Sequence, residues 1–226
     1  MAIFRIIGDT EPFLHVSMEQ GEVIYGQSDS MVTMDFSIDL AGSMKGGVMR
    51  STIRKKAKNQ SFFLQKFIAH RGHGDCLLAP STSGGIHVIN VGAKQYKFND
   101  GTFLAMSENV TIKTSLQKIT NSIFGNTGGL IIGKTSGIGS VAFSGYGSIH
   151  EIHVTEDNPV TVDNGHIVAW DENLDYNIRL TTSRGRNIIS NLISPATTGE
   201  GIVLEFRGDG KIILCSRNMI DKNVKS

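Results

Sequence analysis

Met31-Val32-Thr33-Met34, Phe103-Leu104-Ala105-Met106 and Ile167-Val168-Ala169-Trp170 read as three copies of one short strand. A turn precedes each copy: Ser28-Asp29-Ser30, Asp100-Gly101-Thr102 and Asn164-Gly165-His166. Its middle position is expected to take positive φ, which glycine supplies without steric cost and aspartate tolerates better than most residues. Beyond each copy come apolar residues two apart, Ile38 and Leu40, Val110 and Ile112, Leu174 and Tyr176. That spacing puts each pair on one face of a strand.

The match resumes farther along. Phe62-Phe63-Leu64, Leu130-Ile131-Ile132 and Ile202-Val203-Leu204 run toward Gly72-His73-Gly74, Gly137-Ile138-Gly139 and Gly208-Asp209-Gly210. Cys76-Leu77-Leu78, Val141-Ala142-Phe143 and Ile212-Ile213-Leu214 then leave those glycines. β-branched and aromatic runs bounded by glycine predict strands, with each Gly-x-Gly as the turn of a hairpin. A period of roughly 65 to 72 residues is too long for a solenoid coil and suits one small sandwich per copy. The expected fold is mainly β, one domain over residues 1–226. It comprises three short β-sandwich modules, about 1–91, 92–159 and 160–226, around a pseudo-threefold axis. The stretch from Phe4 to Tyr25 adds strands to the first module.

Inside every copy lies a segment that is not strand-like: Gly42 to Gln60, Ser115 to Gly128 and Thr182 to Gly199. Val48, Met49, Thr52 and Ile53 form one stripe, Ile119, Ile123 and Phe124 a second, and Ile188, Ile189, Leu192 and Ile193 a third. Spacings of three and four predict short amphipathic helices. These segments are also basic. No Asp or Glu occurs over residues 42–67, 109–148 or 176–198. The cations there are Lys45, Arg50, Arg54, Lys55, Lys56, Lys58 and Lys66, then Lys113, Lys118 and Lys134, then Arg179, Arg184 and Arg186.

Composition bounds the rest. With 39% hydrophobic and 19% charged residues the chain reads as folded rather than disordered. A net charge of +1 does not mark the whole protein as a nucleic-acid binder. No apolar run reaches the roughly 18 residues of a membrane span. The start, Met1 to Ile7, is too short for a signal-peptide core, and Cys76 and Cys215 form no disulfide framework, so a soluble intracellular protein with reduced thiols is expected.

Residues that invite a chemical reading have plainer ones. Cys76 stands where Val141 and Ile212 stand, and Cys215 where Ala79 and Ser144 stand, so both are expected to be buried structural thiols. His150 and His153, three apart in a strand, fall on opposite faces, and His70, His73 and His87 share no repeat position with them. No His-x-His with a distant Glu and His is present, and no Cys-x-x-Cys, so no metal site is assigned. The Gly-x-Gly turns lack the third glycine and following helix of a dinucleotide loop. Trp170 shares its position with Met34 and Met106, which favours core packing over ligand stacking. Asp163, Asp171, Glu172 and Asp175 read as a solvated turn.

Several longer motifs resemble the altered-inheritance-of-mitochondria protein 24 family, long described as a domain of unknown function. They are Ala79-Pro80, Asp100-Gly101-Thr102-Phe103-Leu104-Ala105, Gly145-Tyr146-Gly147-Ser148-Ile149 and Val162-Asp163-Asn164-Gly165-His166-Ile167-Val168-Ala169-Trp170-Asp171. The likeness runs from about Gly21 to Asn218, and Gly42 with Gly46-Gly47-Val48 is similar to the family's glycine-rich loop. Arg54-Lys55-Lys56 departs from it by being more basic. The resemblance implies modules of the double-stranded β-helix type, similar to the tryptophan RNA-binding attenuator protein and used in rings and oligomers. It implies no enzyme activity and no metal role for His150 or His153. The family's mitochondrial members are linked to inner-membrane organisation, but no transit peptide is seen, so a bacterial-type cytosolic member is expected.

The leading expectation is a non-catalytic homo-oligomeric scaffold, a trimer because ring-forming sandwich edges need covering. It docks on an anionic membrane surface or a membrane-associated protein. The contact residues expected are Lys45, Val48, Met49, Arg50, Ile53, Arg54, Lys55, Lys56, Lys58, Lys118, Ile123, Phe124, Arg184, Arg186, Ile188, Ile189 and Leu192. Fold analogy offers single-stranded RNA as an alternative. Stacking aromatics in the insertions are limited to Phe124, Phe62 and Phe63, and the last two read as strand core, so nucleic acid is not the expected partner. A small-molecule or metal-dependent enzyme would use the group around Asp163, His166 and Asp171. No catalytic residue, metal or cofactor is assigned, and the expected location is cytoplasmic, peripheral to a membrane.

Overall fold

The computed structural model describes residues 1–43, 64–118, 129–180 and 202–218. Among them the short apolar runs become nineteen strands. These are β1 (Ile3–Ile7), β2 (Phe13–Met18), β3 (Val23–Gln27), β4 (Met31–Met34), β5 (Ile38–Ser43), β6 (Leu64–Ala69), β7 (Gly74–Leu78), β8 (Gly84–Val91), β9 (Tyr96–Asn99) and β10 (Phe103–Ser107). They continue as β11 (Val110–Lys118), β12 (Gly129–Gly137), β13 (Gly139–Tyr146), β14 (Ile149–Val154), β15 (Val160–Asp163), β16 (Ile167–Asp171), β17 (Asp175–Leu180), β18 (Ile202–Arg207) and β19 (Gly210–Cys215).

Four antiparallel sheets result, ordered β1-β2-β7-β4, β5-β6-β3-β10-β13-β8, β11-β12-β9-β16-β19-β14 and β15-β18-β17. The second and third sheets repeat one composition. Counting the copies from β2, β8 and β14, which pair alike with β7, β13 and β19, rather than from residues 92 and 160, each sheet combines three strands of one copy with three of the next, joined by β3–β10 in one and β9–β16 in the other. The two joints share a register: Ala105 faces Gly26 and Met106 faces Tyr25, as Ala169 faces Phe98 and Trp170 faces Lys97.

Three apolar cores lie between successive sheets. Leu14, Val16, Cys76 and Leu78 of the first sheet meet Ile24, Phe67, Leu104 and Ala142 of the second. Tyr25, Phe103, Val141 and Phe143 of the second meet Phe98, Val110, Val168 and Ile213 of the third. Trp170, Ile167 and Ile212 of the third meet Val162, Leu204 and Phe206 of the fourth. Strands of the middle sheets face a core on both sides, which is why β10 and β16 are buried at every residue. Each large side chain so buried contributes about 1.5–3 kcal/mol. Aromatic contacts reinforce two cores, with Phe98 and Phe143 centroids 5.0 Å apart and Trp170 edge-on to Tyr176 at 5.5 Å and Phe206 at 5.7 Å.

The copies also match in detail. A bulge interrupts β4 between Met31 and Thr33, β10 between Phe103 and Ala105, and β16 between Ile167 and Ala169. A polar residue one place beyond the quoted motif then accepts a backbone N–H from the neighbouring strand. Asp75 donates to Asp35 Oδ2 at 2.8 Å, Ser140 to Ser107 Oγ at 3.0 Å and Lys211 to Asp171 Oδ2 at 3.2 Å. Each satisfies an amide that would be costly to leave unpaired.

Three expectations need correction. The Gly-x-Gly segments are not hairpin turns, since the strands before and after each one belong to different sheets. They are corners that carry the chain across a sandwich, and the first glycine takes positive φ each time, +136° at Gly72, +108° at Gly137 and +106° at Gly208. Asp29 (φ 64°) and Gly101 (φ 80°) adopt the expected left-handed turn, but Gly165 does not and sits in a 3-10 turn, Asn164–His166. A Cβ there would lie 2.1 Å from Asn218 Oδ1, so close approach explains that glycine. The insertion boundaries move as well: Gly42 and Ser43 belong to β5, and Ser115–Lys118 to β11, where they pair with Gly129–Ile132. That 3-10 turn is the one helical piece among the described residues, and the segments expected to be helical lie outside them.

Candidate interaction surface

The three insertions leave and re-enter at equivalent places. The chain departs on β5, β11 and β17 and returns on β6, β12 and β18, the antiparallel partner in each case. β5, β11 and β17 each form the corresponding edge of their sheets. Lys118 closes β11 opposite Gly129. Lys45, Val48, Met49, Arg50, Ile53, Arg54, Lys55, Lys56, Lys58, Ile123, Phe124, Arg184, Arg186, Ile188, Ile189 and Leu192, with the side chain of Lys118, lie outside the described residues.

The stems of these insertions show how the cations are held. Lys113 and Lys134 stand directly opposite on β11 and β12, a repulsive placement. Lys134 turns to the carboxylate of Glu172, which relieves it. On the fourth sheet Arg179 Nε reaches Glu205 Oε2 at 3.0 Å. The acids that flank the basic tracts in sequence thus neutralise cations on the strands.

Besides Leu116 on β11 and Ile138 in the second corner, exposed apolar groups lie at both edges of the first sheet. Ile3, Ile6 and Ile7 lie on β1, and Phe13 faces Ile7 across β2. Met31 and Val32 lie on β4 at the opposite edge. Phe36, on the turn after β4, is covered on one face by the Arg71 guanidinium, 5.0 Å from its ring centre.

Polar clusters are tied into the frame. On the outer face of the first sheet Asp75 accepts from the Ser17 hydroxyl and lies near His15 and His73. The Ser17 hydrogen bond holds the Asp75 carboxyl below its usual range. Asp39 is held low by Arg71 at 2.7 Å, with His70 beside it at 3.1 Å. Burial pushes the Cys76 thiol up to about 12 and raises Cys215 as well, so both stay protonated and weakly nucleophilic. They are separate free thiols, both buried, as expected from their sister positions.

Asp163, His166 and Asp171 do not converge. Asp163 accepts from Gly165 N–H at 2.8 Å, and His166 Nδ1 meets the Cys215 carbonyl at 2.8 Å. Asp171 is fully buried, with Lys94 Nζ 3.5 Å away, which overturns its reading as part of a solvated turn. Burial, then the charge of Asp171, lifts the Tyr96 hydroxyl to about 12. Trp170 is fully buried in the third core, which bears out core packing. Among the described residues no group of three or more His, Cys, Asp or Glu is placed to hold a metal ion. None of their helices is long and apolar enough to cross a membrane.

One relation was missed by the sequence comparison. His87 on β8 stands opposite Phe143, and His150 on β14 opposite Leu214, so the two histidines occupy equivalent positions. The first strand of each copy carries no shared motif, and the third equivalent is Leu14, opposite Leu78. His87 Nε2 lies 3.8 Å from Glu151 Oε2, and Glu151 is itself bound by Lys211 at 2.7 Å. Burial lowers the His87 pKa and Glu151 opposes that shift.

Residues 4–217 match the model of the family described as Mitochondrial biogenesis AIM24. An uncharacterized protein of Streptococcus pyogenes is 34% identical over 214 residues, spanning 92% of this chain and 82% of its own length. The X-ray crystal structure of a Streptococcus pyogenes protein, a structural-genomics target, is similar at a TM-score of 0.77 and 31% identity, over 98% of this chain and 96% of that one.

Proposed function

That this chain belongs to the Mitochondrial biogenesis AIM24 family is the premise from which we propose its function: a non-catalytic, self-associating scaffold that docks on an anionic membrane surface. The observation that supports this reading is the common origin of the three insertions. Each leaves the equivalent edge strand of three successive sheets, so the acid-free, cation-rich and apolar segments are all rooted at equivalent sheet edges. A basic side chain near an anionic leaflet contributes about 1 kcal/mol, and inserted apolar groups add to it. Several weak segments on one particle act together through effective concentration. The exposed apolar residues of the first sheet supply a further contact surface. The work place so proposed is the cytoplasmic side, peripheral to the bilayer.

Flotation with vesicles made with and without an anionic phospholipid tests this. The protein should float with anionic vesicles at low salt and be released as salt rises. Replacing Arg54, Lys55 and Lys56 by Glu should weaken binding by at least about fivefold per charge removed. Equal recovery in the unbound fraction with both vesicle types at low salt would end the membrane reading.

A further inference from the structure

We infer that Lys97, Lys134 and Lys113 form a binding site for an oligophosphate group, two or three linked phosphates, on the face of the third sheet turned toward the fourth. The inference goes beyond the membrane reading, because all three lysines lie on strands and none belongs to the residues proposed to meet the membrane.

Register builds the site. Lys113 on β11 stands directly opposite Lys134 on β12, and Lys134 directly opposite Lys97 on β9. Residues opposite each other across a ladder share one face, so three ammonium-bearing side chains form a row across three adjacent strands. Neighbouring strands are about 4.8 Å apart, which makes the row about 10 Å long. A chain of two or three phosphates is of comparable length and carries its charge along a line. Lys97 marks the inner end of the row. Its Nζ lies 5.3 Å from the centre of the Tyr176 ring on β17 and donates to the Glu172 carbonyl at 3.2 Å. Lys113 marks the outer end, on the edge strand of the sheet. Thr111, Ser115 and Ser136 are exposed and stand two residues from Lys113 or Lys134 on the same face. Their hydroxyls add donors beside the ammonium groups.

The row is costly to the free protein, since like charges directly opposite destabilise a sheet. β11 and β12 hold no carboxylate. Lys134 is paired with Glu172, whereas Lys113 has no ion pair among the described residues. The equivalent row of the second sheet is Ala41, Lys66 and Tyr25, and that of the fourth is Asn177, Glu205 and Thr161. The same frame is thus built twice without lining up like charges, so the frame does not require them. A polyanion is the ligand that turns this repulsion into affinity, through several charge-assisted hydrogen bonds at once. Glu172 is then a competitor: its carboxylate holds Lys134 until phosphate oxygens take its place.

Calorimetric titration of the full chain with sodium tripolyphosphate tests the site. Binding should weaken by about tenfold or more in Lys113→Thr and in Lys134→Thr. Glu172→Gln should tighten it by up to about fivefold. Replacing Arg54, Lys55 and Lys56 by Glu should leave it unchanged, which separates the row from the insertions. Lys113→Thr should also keep or raise the urea midpoint of the free protein, which separates a lost ligand from a lost fold. Phosphatidylcholine vesicles with and without a prenyl diphosphate distinguish the two sources of such a group. Capture by the vesicles that carry it would place the phosphates on a lipid. Binding of tripolyphosphate without that capture would place them on a soluble molecule. Failure of both probes, or affinities unaltered in Lys113→Thr and Lys134→Thr, would overturn the site. The membrane reading, tested with anionic phospholipid, would be untouched by that failure.

Discussion

Gly133 shows how one missing side chain sets the second core. It stands opposite Phe98 on β9, and a Cβ there would lie 2.2 Å from Phe98 Cζ. Phe98 in turn packs against Phe143 and Phe103. The glycine answers the ring, filling with an aromatic face the space its own side chain leaves. Gly133→Ala should lower stability by about 1–3 kcal/mol through overpacking, read as a fall in the denaturation midpoint. Adding Phe98→Leu should recover part of that loss, since the smaller group can withdraw. A stability unchanged by Gly133→Ala would mean the two residues are not packed as described.

At the scale of elements, β8 and β14 are linked across the second and third sheets by His87, Glu151 and Lys211. His87 has a folded pKa below its ordinary 6.5, so the unfolded chain binds its proton first as pH falls. Stability from this group is present above that value and is lost on descending through it. Glu151 is held below its ordinary 4.5 first by Lys211, and its contribution is lost only lower, beneath that value. Urea midpoints should therefore fall in two stages, the first setting in below about pH 7.5. His87→Gln should flatten the first stage and leave the second. A first stage unchanged in that variant would assign it to another group.

Elements also show what was readable from the sequence. Strands β4, β10 and β16 were legible because a bulged, apolar motif recurs with its turn. Corners were not, because the apolar run and glycines flanking Gly72, Gly137 and Gly208 look the same whether the next strand returns beside the last or crosses a sandwich. Asp35, Ser107 and Asp171 carried a usable signal, a polar residue at one position of all three copies, but hydrogen-bond capacity is not a feature of hydrophobic patterning. Ser115–Lys118 mixes polar and apolar residues and gave no boundary, since its pairing with Gly129–Ile132 is set by register. The cation-rich composition of the insertions was plain in sequence, whereas their origin at equivalent sheet edges required the sheet order.

The whole molecule is a succession of shared sheets with three cores between them, open at its two ends. That arrangement explains why the middle sheets are apolar on both faces and why the most exposed apolar strand edge is found in the first copy. Hydrogen exchange measured by mass spectrometry at a dilution where the chain is monomeric tests this most directly. Amides of β3, β9, β10 and β16 should exchange slowly and those of β4 and β15 much faster. Protection of β4 and β15 equal to that of β10 and β16 in the dilute monomer would contradict an open succession.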